Sequence, residues 1–215
     1  MSINLGIFLS GVLLMAFIMV ISKRLNAMIR GFSAQSFFLF LITIVFAIKE
    51  SSSGLYVVAA LLFVIKVIVI PRLLSRMVKR IKTDETAGLI VNPALSLFAA
   101  MLLTYLSYLF TSRFLPLMQD RMQEGAFIAA LAVMLIGMFI MVFRMKAIAQ
   151  IIGLLVMENG LFLIASAVSG GMPFFVEIAI FFDIFICVII MGMFVYKINK
   201  VFTHINVNKL QELKG

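Results

Sequence analysis

The sequence predicts an all-α integral membrane protein with about seven transmembrane helices, its N-terminus outside and its C-terminus in the cytoplasm. Three observations lead there. Of 215 residues, 64% are apolar and 13% charged, with a mean hydropathy of +1.21. Soluble domains run at about 45–50% apolar and about 25% charged, and a chain of 24.0 kDa has too little interior to hide that excess from water. The apolar residues fall into seven stretches, each near the roughly 20 residues needed to cross a hydrocarbon core of about 30 Å. Finally, fourteen of the eighteen Lys and Arg residues lie on one set of alternate connections and three on the other. That asymmetry sets the orientation by the positive-inside rule.

The same composition excludes a soluble globular enzyme, a secreted disulfide scaffold and a disordered chain. Cys187 is the only cysteine, so neither an intramolecular disulfide nor a Cys-based metal site can form. The net charge of +9 and pI near 10.0 do not point to nucleic acid, because the basic residues flank apolar runs instead of forming one patch.

The first span, expected over 3–22, has no basic segment before it and reads as a retained helix, not a cleaved signal peptide. Lys23, Arg24 and Arg30 separate it from the second, 32–48, which Lys49 and Ser51-Ser52-Ser53-Gly54 close. The third, 54–74, holds Pro71 near its end, where a missing N–H and a bulky ring predict a kink. The polar stretch from Arg72 to Asn92 is the longest connection, and it is expected to carry the third helix into water before turning back. Asn92-Pro93 opens the fourth span, 93–112, and Arg113 and Arg121 follow it. The fifth, 125–143, and sixth, 147–168, are joined through Arg144 and Lys146. Gly170-Gly171-Met172-Pro173 leads into the seventh, 174–197, and a tail with Lys197, Lys200, Lys209 and Lys214. The chain thus divides into four N-terminal helices, 1–122, and a three-helix module with its tail, 123–215. An echo at an offset of 120 relates Arg24, Ala27 and Gln35 to Arg144, Ala147 and Leu155, as if two parallel triplets flanked the fourth helix.

Chemistry concentrates where charge is expensive. An ionisable group at the centre of a spanning helix costs about 2.5–3.5 kcal/mol on insertion scales and marks a functional site by default. Lys66 is thirteenth in the third span, Glu158 twelfth in the sixth and Asp183 tenth in the seventh. At 1.5 Å per residue, each is on the order of 14–20 Å from its helix end, so three groups share one level. They read either as a protonatable relay joined by water or as a buried ion pair that fixes packing. Glu177, three residues into the seventh span, is either the outer end of such a path or an interfacial carboxylate. Ser33 and Gln35 on the second span, and Thr104, Tyr105 and Ser107 on the fourth, read as contacts between helices. Gly153 and Gly160, seven apart, permit a close helix contact. The 16 Met residues form no copper ladder and His204 stands alone, so no metal is expected. Phosphate-loop, dinucleotide and iron–sulfur motifs are absent, so no cofactor is expected and any redox chemistry belongs to a partner.

The run Ile151-Ile152-Gly153-Leu154-Leu155-Val156-Met157-Glu158-Asn159-Gly160, the acid at Asp183 and the ending Asn206-Val207-Asn208-Lys209-Leu210-Gln211-Glu212-Leu213-Lys214-Gly215 resemble the K subunit of bacterial complex I and the C subunit of multisubunit sodium/proton antiporters. One departure is that the family's first glutamate falls on Leu155, with Glu158 nearly one turn on. Val64-Ile65-Lys66-Val67, Met157-Glu158-Asn159-Gly160 and Val176-Glu177-Ile178 ahead of Asp183 extend the likeness over most of the chain. In that respect the sequence resembles hydrogenase-4 component E, a subunit of formate-hydrogenlyase-type membrane [NiFe] hydrogenases.

The resemblance implies a non-catalytic subunit in the inner membrane of a prokaryote. Its partners would be antiporter-like and other membrane subunits within the lipid bilayer, with no nucleic acid. Lys66, Glu158 and Asp183 would form part of a central polar axis moving protons or sodium, driven by redox chemistry in a peripheral arm. A desolvated carboxylate tends toward neutrality and a nearby cation restores its charge. Three alternatives stay open: a scaffold that tolerates Glu158→Gln and Asp183→Asn, a subunit of a multisubunit cation/proton antiporter, and an autonomous transporter.

Overall fold

Stretches that are apolar around their whole circumference satisfy their backbones internally and leave their side chains to lipid or to each other. The computed structural model describes residues 2–50, 53–80, 87–114 and 121–169. Their regular structure is helical throughout: α1 Ser2–Ile21, α2 Leu25–Glu50, α3 Ser53–Leu62, a π-helical segment Phe63–Val69, α4 Ile70–Arg80, α5 Pro93–Phe114, α6 Arg121–Phe143 and α7 Ala147–Ser169. Five stretches are long and apolar enough to cross a membrane: Leu25–Ile48, Gly54–Lys79, Pro93–Arg113, Glu124–Phe143 and Ala147–Ala165. Leu5–Ile21 is apolar but shorter. The α3, π and α4 segments run on from one another as the third span, which continues to Arg80 as the polar connection suggested. The expected seventh span and the tail lie outside the described residues.

The second helix begins earlier than its apolar run implied. The Arg24 carbonyl accepts from the Ala27 and Met28 amides at 3.1 and 3.2 Å, so the helix closes directly after a short turn. Leu25, Met28, Ile29 and Phe32 are buried at helical spacing and pin that first stretch, while Arg30 between them stays exposed.

α6 and α7 make the closest pair, α1 lies against α2 and α6, and α2 against the third span and α7. Lipid tails are as apolar as leucine, so dispersion at close range is what joins such helices. Glycines supply the closeness. A Cβ on Gly153 would stand 2.5 Å from the Met141 nitrogen, and one on Gly160 2.5 Å from that of Met134. Gly137 lies opposite Gly153 in the same seam. α5 begins at Pro93, with the Asn92 side-chain oxygen accepting from Ala94 N–H at 3.3 Å, and packs on α1 and α6. Its far face leaves Phe98, Met101, Tyr105 and Phe110 exposed.

Three connections meet at one end of the bundle. Ala87 N–H donates to the Lys23 carbonyl at 2.7 Å, Met145 N–H to the Gly88 carbonyl at 3.0 Å and Ile90 N–H to that of Phe143 at 3.4 Å. The segment after α4 is therefore laced to both the α1–α2 and α6–α7 turns, the two places related by the offset of 120. Gly88 has φ +59 there, and a Cβ on it would come within 3.0 Å of Lys146 Cγ.

Candidate functional site

Pro71 shapes the site without touching it. In an unbroken α-helix the residue at 71 would donate to the carbonyl of residue 67, and proline has no hydrogen to give. The expected kink takes the form of a wide π segment just before the proline, in which Ile70 N–H reaches back five residues to the Ile65 carbonyl. The Val67 carbonyl accepts instead from Ser33 Oγ of α2 at 3.1 Å. Lys66 is at the middle of this widened segment, thirteenth of the 26 residues Gly54–Lys79, and its side chain is fully buried.

Two residues of α7 receive it. Lys66 Nζ stands 3.4 Å from Glu158 Oε1 and donates to Asn159 Oδ1 at 3.1 Å. Asn159 Nδ2 donates to Gln35 Oε1 at 3.1 Å and to Ser36 Oγ at 3.4 Å, and Gln35 Nε2 donates to the Val12 carbonyl at 3.1 Å. This polar chain runs from the third span through α7 and α2 to α1, with Lys66, Asn159, Gln35 and Ser36 essentially inaccessible and Glu158 6% exposed. Neighbouring positions hold it in hydrocarbon: Ile152, Leu155 and Val156 are buried on α7, and Leu39 and Ile42 on α2.

Such a pair is not evidence of stability. Desolvating two charges offsets most of their attraction, whereas removing one partner strands the other. What the arrangement offers is an ammonium, a protonatable carboxylate and a neutral amide within hydrogen-bonding range of one nitrogen, away from bulk water. It can hold, lose or take up a proton without a large movement.

Of the residues singled out from sequence, the structure joins Lys66, Glu158 and Gln35. Asp183 and Glu177 lie outside the described residues. The hydroxyls of α5 bond to their own helix: Thr104 to the Ala100 carbonyl, Ser107 to that of Leu103 and Thr111 to that of Ser107. Tyr105 is exposed. Among the described residues no group of three or more His, Cys, Asp or Glu could hold a metal ion.

Arg144 has a role that counting loop charges missed. It is 3% exposed, and its guanidinium donates to the carbonyls of Ser22 at 2.9 Å, Met19 at 3.1 Å and Val20 at 2.6 Å. It thereby satisfies carbonyls at the end of α1, where the last turn of a helix has no N–H donors of its own to offer them and carries partial negative charge. Burial pushes the guanidinium down from its ordinary value to about 10, so it stays charged at neutral pH. Its counterpart at the other turn, Arg24, is exposed.

The comparisons with known proteins extend over nearly the whole chain. It is 29% identical over 209 residues to an uncharacterized protein of Mycobacterium tuberculosis, Rv0085, covering 96% of this chain and 94% of that one. It is 27% identical over 209 residues to hydrogenase-4 component E of Escherichia coli K12, covering 96% of both, and matches the protein of that name in Shigella flexneri to the same extent. No family model matches the chain, and no solved structure does.

Proposed function

We propose that this chain is an integral membrane subunit of a complex I-like, energy-converting hydrogenase complex, and that Lys66 and Glu158 form a proton-exchange site in a polar axis through it. The likeness to hydrogenase-4 component E over 96% of the chain supports membership of a multisubunit membrane complex. The observation that carries the exchange site is the buried Lys66–Glu158 pair midway along two membrane-length helices. Charge so placed is costly, and proton relays are among its established uses. Asp183 of the seventh span is the next group in the proposed relay, and Glu177 its outer end. The end of the bundle that gathers Lys23, Arg24, Arg72, Arg76 and Lys146 faces the cytoplasm in this reading. The exposed apolar face of α5 meets lipid or antiporter-like subunits.

The experiment replaces Lys66 by Met in the complex within its native membranes. Ion movement is measured alongside redox activity of the peripheral arm with a soluble dye. The reading expects the first to be lost and the second kept. Equal loss of both points to a scaffold. Co-purification of nickel and iron–sulfur proteins with the chain is expected; a lone dimer in their place would favour an autonomous transporter.

A further inference from the structure

Among the described residues α5 buries one face and leaves the other exposed. Ser96, Ala100, Ser107 and Thr111 are buried, where the helix packs on α1 and α6, while Phe98, Leu102, Tyr105 and Leu109 are exposed. Close contact between helices in lipid calls for small side chains, as the glycine seam of α6 and α7 shows. On α5 small residues already face the bundle, there is no glycine among its 22 residues, and bulky side chains dominate its outer face. A fluid hydrocarbon chain fits between such side chains where a second helix would be held off.

That outer face is not smooth. A groove of about 680 Å³ lies between α5 and α6, walled by Leu106 and Leu109 on one side and Leu131 and Leu135 on the other, with Ser112 and Arg113 lining it where α5 ends. Its size falls within the roughly 300–1,000 Å³ typical of small-molecule sites. Its depth is that of one leaflet. Leu106 is about 10 Å along α5 from Arg113, and Leu135 about 16 Å along α6 from Glu124, against about 15 Å for half a hydrocarbon core. A spanning helix would need a seam along the full length of α5. Arg113 stands at the end of the bundle away from the laced turns, because α5 starts beside them at Pro93 and is about 33 Å long.

We propose that this groove binds one anionic phospholipid, with an acyl chain lying between α5 and α6 and the phosphate meeting Arg113. The Arg113 side chain is exposed, and a guanidinium offers a planar fork that matches phosphate oxygens. Its aliphatic stem can lie along the groove while the charge reaches the headgroups. Ser112 adds no donor for the anion, because its hydroxyl already donates to the Leu109 carbonyl at 3.1 Å. Glu124, the acid that opens the apolar stretch of α6, is not among the lining residues. A zwitterionic lipid carries its own ammonium beside the phosphate, so Arg113 favours a headgroup with net negative charge. The Lys66–Glu158 site plays no part in this binding.

The test places a benzophenone side chain at Leu109, on the exposed wall, in the full chain with the subunits that travel with it. The assembly is moved into nanodiscs of phosphatidylethanolamine with a minority of deuterium-labelled phosphatidylglycerol and irradiated. Mass spectrometry of the chain reads which lipid was captured. Phosphatidylglycerol is expected about fivefold above its share of the bulk, the worth of one basic group near an anionic headgroup. Arg113→Leu should return that ratio to the bulk value, and Arg113→Lys should keep most of the enrichment. Lipid adducts at the bulk ratio with Arg113 in place, or enrichment that survives Arg113→Leu, overturn the proposal. So does capture of a polypeptide, whether from residues 170–215 of this chain or from another subunit, which makes the groove a protein interface. Should the probe at Leu109 prevent assembly, the same side chain in place of the exposed Leu106 reads the same wall.

Discussion

Lys66 and Arg144 are both buried, and both tie together helices distant in sequence, yet their partners differ in kind. Among the described residues Arg144 donates to backbone carbonyls, which cannot take a proton. Lys66 meets a carboxylate as well as an amide. The guanidinium fork suits three fixed acceptors at a helix end, and it stays charged at every pH a cell encounters. The ammonium is a compact point charge whose state responds readily to its surroundings. Position differs too: Arg144 lies at the end of the bundle where three turns are laced together, and Lys66 halfway along a span. Burial alone therefore does not mark a charge as functional; in the proposed reading a protonatable partner far from water is what sets Lys66 apart.

Substitutions can break or sharpen that contrast. The largest effect is expected from Lys66→Met, which removes the ammonium 3.4 Å from Glu158 and lowers stability by about 3–5 kcal/mol if the carboxylate stays ionised. Adding Glu158→Gln should restore most of the thermal stability of the purified complex without restoring ion movement. Recovery of both would erase the distinction between the two cations.

Arg144→Leu is expected to cost about 2 kcal/mol, by taking the guanidinium from the Val20 and Ser22 carbonyls and from that of Met19, which keeps Ser22 N–H at 3.3 Å. Arg144→Lys should recover only part, because one ammonium cannot span three acceptors as the fork does. Denaturation followed from pH 5 to 9 carries the sharper test. With Arg144 lowered to about 10 when folded and higher still when not, both forms hold their proton throughout that window. The proton count then does not change on unfolding, and the cost of Arg144→Leu should be flat with pH. The gap opened by Lys66→Met should vary over the same range.

The smallest effect concerns the wide segment around Lys66. Ser33→Ala should cost about 1 kcal/mol in the natural chain, since it deprives the Val67 carbonyl of its donor. In a Pro71→Ala background the restored amide can serve that carbonyl, and Ser33→Ala should then cost little. A double-mutant cycle reads the difference, and strictly additive costs would mean that Pro71 does not set the segment.

How much of this was legible depended on what each residue's cost reveals. Lys66 and Glu158 announced themselves because charge inside an apolar run has few innocent explanations. The seam glycines Gly153 and Gly160 were readable from their spacing. Asn159 sat in a quoted run without a role, for an uncharged amide costs less to bury and its partners on α2, Gln35 and Ser36, are more than a hundred residues away. Arg144 was hidden by the rule that placed it, because a loop cation already has an explanation. Pro71 gave notice of a break but not its form, which depends on Ser33 of another helix. The early start of α2 escaped because Asn26, Arg30 and Gly31 dilute its first turns, while burial of Met28, Ile29 and Phe32 decides them.

The central claim is that Glu158 carries a proton beside Lys66, and it is tested most directly by proton movement into inverted native-membrane vesicles containing Glu158→Gln. Dye-linked redox activity is read on the same vesicles. Glutamine keeps the size and the hydrogen-bonding oxygen but cannot exchange a proton. The account predicts that movement falls by about a hundredfold or more while the dye reaction is unchanged. Undiminished proton movement in that variant would contradict it.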